Sequence, residues 1–204
     1  MARPTANPRE VDWAGENPGM YLKESPDGPY VALISFFRVV LSPHGRGHAA
    51  FLILDPYGDG KDPARPNLCA TDNEPLAEWL KDEFVGHFVA FRGTRGLASV
   101  RTLPAWDFVA GGDGRTEHVE WFRSSAGQVQ LVWKGWGDRY VLELVDGKAV
   151  TGRHEMFSTF VDVHETAAFI NGRPVPGRPV PREFAGKKNA STAFLAFAET
   201  WVKS

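Results

Sequence analysis

The sequence predicts one predominantly antiparallel β domain, on three observations. Aromatic and β-branched residues are gathered into short runs. With seven Trp and fourteen Phe, such runs suit a pleated, half-buried surface. Tight glycine-containing connections separate the runs. Only one stretch carries clear helical spacing. At 204 residues the chain suits a single domain that can bury a core without disulfide staples.

Residues 1–28 are polar, punctuated by proline and glycine, and show no periodicity. They are expected as an N-terminal arm docked through Trp13 and Tyr21 on a domain formed by residues 29–204. Residues 30–41 read as a long strand bounded by Pro29 and Pro43. A hairpin-like loop leads to a second strand at 49–54, and 55–67 reads as a long loop. One short amphipathic helix is predicted over about 73–85. Asp72 or Asn73 can cap it and Pro75 fits its first turn. Leu76, Trp79, Leu80 and Phe84 share a face, and Gly86 is placed to end it. Strands are then expected at 87–92, 98–103, 116–123, 128–136, 139–145, 153–165 and 192–202. Turns are expected at 111–114, 124–127, Gly137-Asp138 and Asp146-Gly147.

Short strands joined by tight turns form a meander, and with roughly nine strands closure removes exposed edges. The expected architecture is therefore a calycin-like or lipocalin-like barrel. A two-sheet β-sandwich is the alternative. Residues 172–182 hold two Arg-Pro-Val-Pro units, which favour an extended connector, a lid over a barrel mouth or a segment read by a partner.

The formal net charge is -2, so no broad field draws the chain to nucleic acid or acidic membrane. No apolar run is long enough to span a bilayer. A single cysteine, Cys69, excludes an internal disulfide. A cytoplasmic setting is expected, with a small-molecule ligand as partner and the oligomeric state open.

Standard motifs are missing. Gly58-Asp59-Gly60-Lys61 has the wrong spacing for a phosphate loop. Tyr57 and Pro66 occupy positions where a calcium loop needs carboxylates. No cofactor and no metal site is assigned. His44 and His48 lie in a Pro/Gly-containing loop, where their spacing has no helical meaning.

Two strands carry the candidate chemistry. Over 153–165, alternation places His154, Met156, Ser158, Phe160, Asp162 and His164 on one face. Imidazole, hydroxyl and carboxylate beside apolar groups make a ligand-cavity mixture. Over 116–123, His118, Glu120 and Phe122 share a face, and Glu120 can orient His118 as a general base. If both faces meet in one lumen, His118, Glu120, His154, Asp162 and His164 are the candidate catalytic residues. Ligand contacts are expected from Trp121, Trp133, Trp136, Met156, Ser158 and Phe160. Arg173, Arg178, Arg182, Lys187 and Lys188 make the C-terminal connection basic, able to hold an anionic group near a barrel mouth.

Three functions follow as expectations. The first is binding of a small, partly apolar organic ligand in the barrel cavity. The second is a cofactor-independent lyase or isomerase that uses His and Asp/Glu for proton transfer there. The third is an interaction protein that uses the proline-rich loop 173–181.

Overall fold

A computed structural model of the chain describes residues 6–145 and 149–204. The turn expected at Asp146-Gly147 and residues 1–5 of the expected arm lie outside the described residues. In chain order come β1 (Val11–Glu16), β2 (Gly19–Lys23), β3 (Tyr30–Leu41), β4 (Gly47–Ile53) and β5 (Asn67–Thr71). Helix α1 (Glu74–Glu83), a 3-10 turn (Val85–His87) and helix α2 (Arg95–Ala98) follow. Then come β6 (Arg101–Gly112), β7 (Glu117–Ser124), β8 (Gly127–Leu144) and β9 (His154–Ile170). The last strands are β10 (Arg173–Pro174), β11 (Pro181–Phe184), β12 (Lys187–Ser191) and β13 (Ala193–Lys203). The structure is mainly β, with most strands in one large curved sheet.

Pairing runs in order from β2 to β9, and β13 pairs with β9 on one side and with β1 and β2 on the other. The segment expected as a docked arm is therefore part of the sheet. β1 and β2 are two halves of one interrupted strand between β13 and β3. The interruption falls at Asn17-Pro18. Pairing continues across it, because the Asn17 amide donates to Ala196 and the Pro18 carbonyl accepts from Phe36, both at 2.9 Å. Gly15 is required there, since a Cβ would overlap the Arg38 carbonyl oxygen.

The meander is broken once. β5 and β6 are parallel, so a crossover must join them. Residues 87–92, expected as a strand, serve that crossover instead, and of the expected strand 98–103 only the last three residues are strand, as the start of β6. Phe84, Phe88 and Phe91 recur at i, i+4 and i+7, a helical spacing that strand reading passes over. These rings pack edge-on or stacked against Trp13, Tyr21, Phe37 and Trp201. Helix α1 keeps its expected cap: the Asn73 side chain accepts from the Leu76 amide. Gly137-Asp138 is not a turn. β8 runs through it as one strand of 18 residues whose register shifts between Trp136 and Arg139.

The central strands are buried on both faces, so two cores exist. One holds Phe36, Leu52, Phe122, Leu131, Trp133, Val163 and Leu195, between β2–β5 with β13 and the overlying β7–β8. The other holds Trp13, Tyr21, Phe37, Phe51, Phe84, Phe160, Phe194 and Trp201, beneath α1 and the crossover. Among the described residues no helix is long and apolar enough to cross a membrane.

Candidate functional site

The first core is packed around Trp133 and borders, at one end, a pocket of about 980 Å³ lined by Leu54, Leu68, Ile170 and Val175 together with polar and charged residues such as Lys61, Arg65 and Arg101. Trp133 is fully buried there, and its indole Nε1 donates to the Gly19 carbonyl at 3.0 Å. A smaller, more apolar cavity lies on the second face. It has a volume of about 260 Å³ and is walled by Tyr21, Phe88, Met156, Phe160, Phe194 and Trp201. Asn17, Arg182 and Glu199 bring polar groups to it.

Glu199 reaches the cavity because β13 is bulged. Up to Phe197, even residues such as Phe194 and Ala196 face the cavity side while Ala193 and Leu195 face the other core. Ala198 then takes a φ of 50°, and the register with β9 shifts between Phe197 and Thr200. The extra residue reverses parity, so Glu199 and Trp201 join Phe194 on the cavity face. The Glu199 carboxyl is 2% exposed and accepts from Trp201 Nε1 at 2.7 Å. Burial raises its pKa to about 7, against hydrogen bonds from Trp201 and Asn17 that favour the ionised form. Asn17 Oδ1 also accepts from the Ser35 hydroxyl at 2.8 Å, so this end of the cavity is a connected polar cluster.

Arg182 stands on β11. Its guanidinium lies 4.5 Å from the Phe184 ring centroid, 5.4 Å from that of Phe194 and 5.6 Å from that of Tyr21. Its Nε donates to the Ser191 carbonyl at 3.0 Å. Burial lowers its pKa, while Tyr21, Tyr30, Tyr140 and Asp162 act the other way. Burial likewise pushes the Tyr21 phenol up, with Arg182 opposing.

The expected catalytic residues are not gathered in one place. His154 is buried between Phe84 and Trp201; its Nε2 pairs with Asp12 and its Nδ1 with Thr151, both at 2.8 Å. Asp162 is buried eight residues away, roughly 27 Å along the strand. It takes Lys187 at 2.9 Å, the Ser191 amide at 3.2 Å and the Tyr140 hydroxyl at 3.5 Å. Tyr140, partly buried beside that carboxylate, has its pKa pushed up to about 12. His164 is exposed beside Gly137. His118 and Glu120 do form the expected pair, at 2.9 Å and buried, but in the first core. There Glu120 also takes Arg38 at 2.6 Å, and Arg38 reaches His48, whose Nδ1 meets Asp72 at 2.7 Å. Charge pairing thus spends these groups on one another, and among the described residues no set of three or more His, Cys, Asp or Glu side chains is placed to hold a metal ion.

Of the expected ligand contacts, Met156 and Phe160 line the cavity. Ser158 instead donates to the Phe197 carbonyl. Trp121 is half-buried beneath Arg123, and Trp136 packs with Phe197 against the first core. Sequence reasoning passed over Asn17, Tyr21 and Glu199 as cavity residues; Arg182 had been singled out only as part of a basic connection. The signal for Glu199 was a carboxylate inside a largely apolar strand.

The proline-rich loop is stitched to the sheet. β10 pairs with β9, Lys23 and Arg178 exchange backbone hydrogen bonds at 2.9 and 3.0 Å, and Val180 is buried. Comparison with known proteins gives no match for this chain, whether against protein-family models, curated proteins or solved structures.

Proposed function

We propose that this protein binds a small, partly apolar organic ligand, on a sheet that closes as a calycin-like barrel. The binding site in this reading is the cavity against the outer face of the β13–β2–β3 strands, rather than the lumen that the sequence suggested. One observation carries the reading: about 260 Å³ of space walled by aromatic rings and Met156, with only a few polar groups at its margin. Ligand sites are built that way, with apolar walls for affinity and sparse polar groups for orientation. A cytoplasmic setting is part of the proposal, supported by Cys69, which is buried as a free thiol.

The test is a thermal-shift and tryptophan-fluorescence screen with small aromatic and aliphatic compounds. Trp201 lines the cavity, so occupancy is expected to change its emission. Ala90→Trp, which fills the space from its wall, is expected to abolish the response. A ligand that binds wild type and Ala90→Trp equally well places the site elsewhere.

A further inference from the structure

We infer that the ligand of this cavity carries one anionic group, a carboxylate or its equivalent, and that Arg182 receives it. The inference rests on the cavity being the binding site and adds the chemical class of what enters. An arginine enclosed by three aromatic rings has given up much of its water, and such a guanidinium ordinarily recovers the loss by pairing with a carboxylate. Among the described residues Arg182 makes no ion pair. The carboxylate that acts on it, Asp162, is engaged by Lys187 at 2.9 Å, the Ser191 amide and the Tyr140 hydroxyl. The only hydrogen bond from the guanidinium to a described residue is Nε to the Ser191 carbonyl.

The terminal nitrogens therefore retain the planar donor fork that matches a carboxylate. The rings of Phe184, Phe194 and Tyr21 hold the group in place by cation–π contact. The same Phe194 and Tyr21 also form the cavity wall, so an apolar body in the cavity brings its charged end to the fork. Of the two carboxylates that line the cavity, Glu199 is buried and taken by Trp201 and Asn17, and Glu183 is exposed; neither pairs with Arg182. An aryl carboxylate fits both features.

The experiment is calorimetric titration of the full chain with 2-naphthoate and with its neutral counterpart 2-naphthamide. Wild type is expected to bind the carboxylate at least about tenfold more tightly, the size of one charge-assisted hydrogen bond. Arg182→Gln is expected to bind the two equally, with Arg182→Lys intermediate because an ammonium keeps the charge and loses the fork. Wild type binding the amide as tightly as the acid overturns the anionic assignment and leaves the cavity reading standing. Binding of neither probe, nor of any compound in the screen, overturns both. The wild-type comparison needs no variant, so a poorly folding Arg182→Gln protein does not rescue the inference.

Discussion

The Glu199 carboxyl accepts the indole proton of Trp201 at 2.7 Å, two residues along the same strand, and both side chains face one cavity. Neighbours two apart ordinarily share a face in a strand. These two share the cavity face only because the bulge at Ala198 precedes them.

Glu199 makes stability depend on pH. Its pKa is raised by burial from 4.5 to about 7. Between those values the folded protein holds a proton that the unfolded chain has released, so stability falls as pH rises. The stabilising contribution is complete below pH 4.5 and lost as pH passes through about 7. At about 1.4 kcal/mol per pKa unit the full effect is about 3 kcal/mol. Glu199→Gln removes the titration and keeps an oxygen to accept from Trp201. Urea unfolding is expected to show the variant more stable than wild type at pH 8, with the gap closing toward pH 5. A gap that does not change with pH assigns the titration to another group.

The bulge has its own test. Ala198 holds a left-handed φ of 50° on an exposed position. Glycine adopts that conformation without steric cost, and a β-branched side chain adopts it poorly. Ala198→Gly is expected to raise stability by up to about 1 kcal/mol, and Ala198→Val to lower it by about 1–3 kcal/mol. Ala198→Val is also expected to weaken cavity binding, because the parity of Glu199 and Trp201 depends on that residue. Equal midpoints for all three proteins in a denaturant titration would falsify the strain assignment.

The buried Glu120 carboxylate, met by the partly buried Arg38 and by His118, has a structural consequence. Glu120 is fully buried and takes Arg38 at 2.6 Å and His118 at 2.9 Å. Removing Arg38 leaves that carboxylate short of its compensating charge, and broken buried pairs of this kind cost about 3–5 kcal/mol. Arg38→Met is expected to lose that much, and the Arg38→Met/Glu120→Leu double variant to recover a large part of it. A double-mutant cycle on chemical unfolding measures the coupling. Additive losses would show that the pair contributes nothing beyond each side chain's own packing.

How much was legible follows from which forces are local. The Asn73 cap, the Leu76 and Leu80 face of α1 and the long β3 are written in neighbouring residues, and the structure has them in place. The pairing of His118 with Glu120 was legible for the same reason, since alternation alone puts them on one face. The parallel crossover was not, because Phe88 and Phe91 are aromatic enough to read as strand until their i+4 and i+7 spacing from the helical Phe84 is counted. β1 and β2 were hidden by Asn17-Pro18, whose break in periodicity is bridged by partners on β13 and β3. Glu199 was hidden by one residue of bulge, which alternation cannot see. The site of β9 failed to assemble because its polar side chains found other partners, Asp12 and Lys187 on other strands and Thr151 in the turn just before β9, rather than one another.

The proline-rich segment is expected to be structural. Read as a segment for a partner, it should be deletable without loss of stability. The observed contacts oppose that. The Val175 amide donates to Ala168 at 2.8 Å, Lys23 and Arg178 bond reciprocally, and the Val180 amide donates to the Thr192 hydroxyl at 2.9 Å. Gly177 has a φ of 99° and abuts Leu22 and Val31, so a larger residue there meets both strain and overlap. Four or five hydrogen bonds at about 1 kcal/mol each, with burial of Val180, place the loss on deleting residues 173–181 at roughly 4–7 kcal/mol. That is a large part of the stability of an ordinary domain, so the deletion is expected to yield unfolded or aggregated protein by circular dichroism and gel filtration. Gly177→Val is expected to fold with a lower midpoint, by about 1–3 kcal/mol. A deletion protein that unfolds at the wild-type midpoint would show that the segment is free to leave the sheet, and capture by a partner domain would then be its role to test.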